Sequence, residues 1–159
     1  MGKIESKIID NSAKEIHQFL EKQYVMKTLE IEMQTHKARQ TRMDNKVQRY
    51  FNSTPIRNAF SRWMVYAYYE HQFYTISYLV KEMNTNRQTV SIMINECEVE
   101  DYVIVQRKGK TVACQASSQL VQAMNEYSEW RKQLIEQTIY QPYINLKQFE
   151  NWMKKQFNM

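Results

Sequence analysis

Glycine and proline are scarce in this sequence, which contains two residues of each type among 159. Loops that cradle phosphate groups need closely spaced glycines, and all-β folds need many turns rich in glycine and proline. The composition therefore excludes both structures and predicts long helices. Hydrophobic residues make up 43% and aromatic residues 13% of the chain, which is enough to fill the core of one folded domain.

Long apolar runs are missing as well. No segment has the apolar length of a bilayer span, and the N-terminal residues MGKIESKIID lack the apolar core of a secretory leader. The chain has two cysteines, Cys97 and Cys114, and a protein without a leader normally keeps its thiols reduced. We therefore expect a cytoplasmic protein that does not contact a membrane.

Recognisable catalytic and metal-binding patterns are absent too. The three histidines, His17, His36 and His71, are not spaced as metal ligands relative to one another or to the cysteines. We expect neither an enzyme nor a bound metal or cofactor. A redox switch through a cysteine is an alternative, although Cys97 falls on an apolar helical stripe, where thiols are usually inert. Cys114 lies in a predicted strand whose facing the sequence leaves open.

Charge is in modest excess on the basic side. Lys and Arg number 22 against 17 acids, a formal net charge of +5, which permits a polyanionic partner without requiring one. Residues 36–49 concentrate five basic residues around one acid, Asp44; the basic residues are Lys37, Arg39, Arg42, Lys46 and Arg49. This segment is either a solvated stretch of helix or loop, or a basic flank beside the DNA backbone.

Helical periodicity appears early in the chain. Apolar residues recur at helical spacing over residues 12–34, and Ser12 is a suitable N-cap. The next helix is predicted to begin at Pro55, where the missing N–H costs nothing, with Ser53 or Thr54 as its cap.

A short helix capped by Thr75 and a further helix capped by Asn86 complete a set of four. The strand-like segments YVIVQ and TVACQ follow, separated by RKGK. Gly109 in that turn supplies the positive φ of a tight hairpin. Two more helices are predicted, one capped by Ser117 or Ser118 and one capped by Asn145 after a break at Pro142.

The helix that starts at Asn86 has one narrow apolar face. At about 100° per residue, its apolar positions recur at i, i+3, i+4 and i+7; they are Val90, Met93, Ile94 and Cys97. This stripe predicts core packing and says nothing about function.

The opposite face carries Gln88, Ile92 and Asn95, with Ser91 and Glu96 at its edges, and the first turn contains Arg87 and Thr89. Amides pair with adenine and arginine pairs with guanine in the major groove. An outward isoleucine fits a thymine methyl group, or alternatively another part of the protein. This face is therefore a candidate for reading DNA.

The charges along this helix are ordered against its dipole. Arg87 lies at the N-terminal end, whereas Glu96, Glu98, Glu100 and Asp101 lie at the far end. Helix stability alone favours acids first and bases last. A phosphate group at the N-terminal end would account for Arg87.

The segment from Leu79 to Val105, LVKEMNTNRQTVSIMINECEVEDYVIV, resembles the helix-turn-helix of winged-helix transcriptional regulators of the MarR type. NRQTVS, residues 86–91, matches the family pattern without gaps, and Asn84 and Asp101 stand where the family usually has glycine. Both residue types tolerate left-handed backbone better than most. The turn after the first strand is shorter than the usual wing and lacks its Asp-Arg-Arg element.

The resemblance implies a mainly α fold, a winged helix-turn-helix with a three-helix core and a two-stranded hairpin wing. It implies N- and C-terminal helical regions, 1–53 and 117–159, that form a homodimer around a DNA-binding core, 54–116. The recognition helix, about 86–98, would enter the major groove of double-stranded DNA at a pseudo-palindromic operator. The wing, residues 107–110, would contact the flanking backbone or minor groove through Arg107, Lys108 and Lys110.

One alternative is a winged helix used for protein–protein contact without specific DNA binding. Outward Ile92 favours that alternative, whereas Arg87 and the basic RKGK turn oppose it. The sequence does not identify a small-molecule effector.

Overall fold

The computed structural model describes residues 2–41 and 45–157. Seven helices and three strands lie within those ranges: α1 (Lys3–Thr41), α2 (Lys46–Asn52), α3 (Pro55–Tyr69), β1 (Tyr74–Thr75), α4 (Ile76–Glu82), α5 (Arg87–Val99), β2 (Val103–Lys108), β3 (Thr111–Ala116), α6 (Ser118–Thr138) and α7 (Tyr140–Phe157). The chain divides into two compact units, one formed by residues 1–38 and 130–159 and the other by residues 39–129.

The first helix is longer than the sequence predicted. α1 begins at Lys3 and continues through Ser12, so the predicted cap at Ser12 is wrong. The reason is that the chain has no glycine or proline between Gly2 and Pro55, and nothing interrupts the helix where the apolar pattern starts.

The basic segment 36–49 is helical up to Thr41. A separate helix, α2, then begins after Asn45, whose side chain accepts a hydrogen bond from the backbone N–H of Gln48 at 3.2 Å. The sequence predicted four helices before the hairpin, and α2 is an additional one that was not predicted. Arg42 and Asp44 lie outside the described residues.

Two predicted caps are confirmed. The Thr54 side chain accepts from the N–H of Arg57 at 3.3 Å, with Pro55 at the start of α3. The Thr75 side chain accepts from the N–H of Tyr78 at 3.2 Å and starts α4. These caps satisfy N–H groups that have no partner within their own helices.

The predicted hairpin is present, with Gly109 at φ +57° in its turn. A third strand joins it, because the two-residue β1 pairs antiparallel with β3 and places Tyr74 opposite Cys114. The strand order is β1-β3-β2. Two residues carry no alternation that a sequence pattern could detect, so the prediction contained only the two hairpin strands.

A single apolar core fills the unit formed by residues 39–129. Helices α3, α4, α5 and α6 and the sheet all contribute side chains that are 2% exposed or less: Phe60, Met64, Leu79, Val90, Met93, Ile94, Cys97, Cys114 and Leu120. This packing buries one face of α5.

The other unit contains most of α1, the end of α6 and α7. The Arg131 guanidinium donates to the Thr35 hydroxyl at 3.3 Å, and the rings of Tyr24 and Tyr143 lie 6.0 Å apart. Helix α7 begins at Tyr140, so the predicted start at Asn145 is wrong. Pro142 sits in the first turn, where proline is tolerated, and it does not delay the helix.

Two non-glycine residues at the ends of the helix-turn-helix have left-handed backbone. Asn84 has φ +48° and Asp101 has φ +58°, and these are the two positions where the sequence carried Asn and Asp in place of glycine. The expectation that both adopt the glycine conformation is confirmed.

The left-handed backbone at Asp101 gives a testable prediction. Asp101→Ala should lower the free energy of unfolding by about 1 kcal/mol, because an ordinary Cβ is strained at positive φ. Asp101→Gly removes the same carboxylate and should cause no such loss, which urea denaturation of both variants would measure. An equal loss in the two variants would show that the carboxylate, and not the backbone, is what matters.

Candidate nucleic-acid interface

Helix α5 is anchored at its start and along one face, as the sequence predicted. The Asn86 side chain accepts a hydrogen bond from the N–H of Thr89 at 2.8 Å and caps the helix. The predicted apolar stripe, Val90, Met93, Ile94 and Cys97, is buried.

The opposite face of α5 is open to solvent. Its exposed side chains recur at i, i+4, i+7 and i+11 and are here called the outer stripe: Gln88, Ile92, Asn95 and Val99. Ile92 is 47% exposed and Val99 is 82% exposed. Thr89 and Ser91 are partly buried beside the stripe. The outer stripe therefore combines two amides with two aliphatic side chains.

Arg87 is exposed but does not belong to the outer stripe. It lies on the flank of α5, and its Nη1 is 3.5 Å from the hydroxyl oxygen of Ser77 in the first turn of α4. The guanidinium is thereby placed where α4 and the start of α5 come together.

Glu96 holds one flank of α5 against α2 and α3. Its carboxylate accepts from the hydroxyl of Tyr50 at 2.6 Å and from the guanidinium of Arg57 at 3.0 Å. The Arg57 guanidinium also lies 4.5 Å from the centre of the Tyr50 ring. Burial raises the pKa of Tyr50, and the bond to Glu96 raises it further, so the hydroxyl stays protonated as a donor.

The wing is held to α5 by a two-pronged ion pair. The Arg107 guanidinium donates to both carboxylate oxygens of Glu98, at 2.7 and 2.6 Å. These hydrogen bonds hold the pKa of Glu98 below its usual range. On the other flank, Lys46 of α2 pairs with Glu100.

The three glutamates near the end of α5 therefore have partners on three other elements. These tertiary contacts account for the glutamates at the C-terminal end of α5. The phosphate group expected beside Arg87 at the N-terminal end stays a prediction. The partners Lys46, Tyr50 and Arg57 were missed from the sequence. They lie between 39 and 54 residues from their glutamates, and no local pattern signals such pairs.

The three basic side chains predicted for the wing differ in their surroundings. Arg107 faces Glu98, whereas Lys108 and Lys110 are exposed on either side of Gly109 in the turn. A shallow groove follows the end of the outer stripe and is lined by Tyr50, Asn95, Glu96, Val99 and Glu100.

Both cysteines are buried and unpaired with each other. Burial raises the pKa of the Cys97 thiol and of the Cys114 thiol to about 12. The Sγ of Cys114 lies 3.4 Å from the Sδ of Met64. Within residues 2–41 and 45–157, no cluster of His, Cys, Asp and Glu is suited to a metal ion, and no helix has the length and apolar character needed to cross a membrane.

Neither a protein-family model nor a curated protein matches the chain. Solved structures do resemble it. Staphylococcus aureus MepR, a transcription regulator of the multidrug efflux pump MepA, is 15% identical with a TM-score of 0.55, over 84% of this chain and 96% of that one. A mutant of S. aureus MepR is 17% identical with a TM-score of 0.51, over 82% and 97%.

A S. aureus MepR–DNA complex is 18% identical over 79% of this chain and 93% of that one, with a TM-score of 0.48. The first two likenesses show the fold, and they confirm the winged-helix fold predicted from the sequence.

The buried thiols give a prediction on reactivity. At pH 8 the native protein should not react with a thiol reagent such as Ellman's reagent, because both thiols are protonated and shielded. Unfolding in guanidinium should make both thiols reactive. Because the folded pKa is raised, the thiols should also destabilise the fold as pH rises from about 9 to about 12. Rapid reaction of one thiol in the native state would contradict this prediction and would support a redox switch through that cysteine.

Proposed function

We propose that this chain is a sequence-specific transcriptional regulator that binds double-stranded DNA and is not an enzyme. The observation that carries this proposal is the outer stripe, a row of amide and aliphatic side chains held outward from a winged-helix core with Arg87 at the N-terminal end. Recognition helices contact base edges with such side chains in their N-terminal half. MepR, which has a similar fold, is a transcription regulator, and this adds support.

The predicted contacts fall into two groups. The first group would face the bases: Gln88, Thr89, Ser91, Ile92 and Asn95. Asn86 and Arg87 lie at the helix start, where backbone N–H groups suit a phosphate. Lys108 and Lys110 would contact the backbone or minor groove beside them. Arg107 contributes less than these two lysines, because Glu98 neutralises it.

A homodimer is part of the proposal. Helix α1 exposes large apolar side chains at intervals of seven residues, with Phe19 61%, Met26 54% and Met33 59% exposed. Folded chains rarely leave such a contiguous apolar face in water, and a period near seven suits helix pairing. Regions 1–53 and 117–159 would dimerise, and region 54–116 would bind a pseudo-palindromic operator. The assembly would act in the cytoplasm.

Phe19→Lys tests the dimer. A charge in the apolar face should shift the protein from dimer to monomer, which sedimentation velocity measures directly. Glu21→Lys introduces the same side chain on an exposed position outside that face and should leave the dimer intact. If the wild-type protein is a monomer at micromolar concentration, the proposed dimer is wrong.

The double variant Lys108→Ala/Lys110→Ala tests DNA binding by the wing. The slope of log K against log salt concentration should become shallower by about 2, since each phosphate contact contributes about 0.9. Arg107→Ala should change the slope less, because that guanidinium is already paired with Glu98. An unchanged slope in the double variant would remove the wing from the interface.

The second candidate function is a protein-interaction module. Exposed Ile92 and Val99 favour it, because both are aliphatic and lie on the same face of α5. Binding to random duplex DNA at two salt concentrations separates the candidates. Salt-sensitive binding supports the DNA-binding regulator, and its absence supports the interaction module.

A further inference from the structure

The outer stripe contains no charged side chain. Each of the three glutamates from Glu96 to Glu100 forms an ion pair with a basic residue on another element. Arg87 lies beside Ser77 on the flank of α5. The groups that a base edge would meet at the centre of this face are therefore the amides of Gln88 and Asn95 and the branched carbon chain of Ile92.

These three groups share one preference. Asparagine and glutamine donate to and accept from the N7 and N6 positions of adenine, and aliphatic groups contact the methyl group of thymine. Guanine is read mainly by arginine or lysine, and cytosine by a carboxylate. The centre of the outer stripe offers neither of these, so its chemistry matches A·T pairs.

The spacing sets the length of the segment that is read. An α-helix rises about 1.5 Å per residue, so Gln88 and Asn95 are separated by about 10.5 Å along the helix axis. Base pairs are spaced about 3.4 Å apart along the duplex, so this distance covers roughly three steps. Ile92 falls between the two amides.

We infer that the centre of the outer stripe, from Gln88 to Asn95, reads a run of about four A·T base pairs in each half-site. Gln88 and Asn95 contact adenines, and Ile92 contacts the methyl group of an intervening thymine. Arg87, which lies beside Ser77, contacts the DNA backbone and does not select a base. This inference rests on the proposed DNA-binding function and names the sequence class that the same face recognises.

The first experiment selects duplexes from a random pool with the full-length protein and then replaces single thymines in the selected duplex by uracil, which removes one methyl group. Replacing one of these thymines, the one that Ile92 contacts, should lower the affinity of the wild-type protein about fourfold. This is the value expected for burying a single methyl group. Ile92→Ala should bind the thymine and uracil duplexes equally. Val99→Ala, an aliphatic variant farther along the same stripe, should retain the wild-type difference.

The outcomes separate the inference from the proposed function. A selected half-site with an A·T centre and a methyl effect that disappears in Ile92→Ala supports both. A selected half-site with a G·C centre, or a methyl effect that persists in Ile92→Ala, overturns the inference and leaves DNA binding standing. A pool in which no duplex is enriched, together with no salt-sensitive binding, overturns both.

A gain-of-specificity variant guards against simple loss of folding. Gln88→Arg places a guanidinium on the outer stripe and should change the selected base at one position of each half-site from adenine to guanine, the base that arginine pairs with. A variant that folds and still selects adenine at every position would contradict the placement of Gln88. Arg87→Ala should weaken binding to all duplexes alike and leave the consensus unchanged.

Discussion

The burial of one face of α5 is the constraint on which the rest of the interface depends. Val90 and Cys97 are fully buried and Ile94 nearly so, and the stripe leaves the helix no freedom to rotate about its axis. Since each residue turns the helix by about 100°, this burial also determines the direction of every other side chain on α5. Ile92 is outward because the buried stripe occupies the opposite side of the helix.

The ion pairs around α5 refine this position more than they stabilise it. Exposed pairs of this kind contribute only about 0–1 kcal/mol each. Their consequence is geometric, because Glu96 connects α5 to α3 and Glu98 connects it to the wing. The basic hairpin and the outer stripe thereby keep a defined relation within one compact unit. The position of these glutamates near the end of α5 follows from the contacts.

Prediction succeeded where the cause is local. The cap at Asn86 and the left-handed backbone at Asp101 were predicted from residue type, because a side chain that bonds its own backbone acts within a few residues. It failed where local signals competed. Ser12 has the chemistry of a cap, but nothing before it stops a helix, so α1 starts at Lys3. Asn145 was a second predicted cap of this kind, but α7 starts at Tyr140 and Asn145 lies inside the helix.

The sequence by itself determined the helices with their β-hairpin, and the outward direction of Gln88, Ile92 and Asn95 on α5. Both follow from periodicity and backbone preference, which are written in neighbouring residues. The tertiary structure alone decided which charges remain available. Arg107 and Lys108 are adjacent in the same basic turn, yet only the folded chain brings Glu98 to Arg107. Pairing between residues on different elements depends on distances that the linear order of residues does not contain.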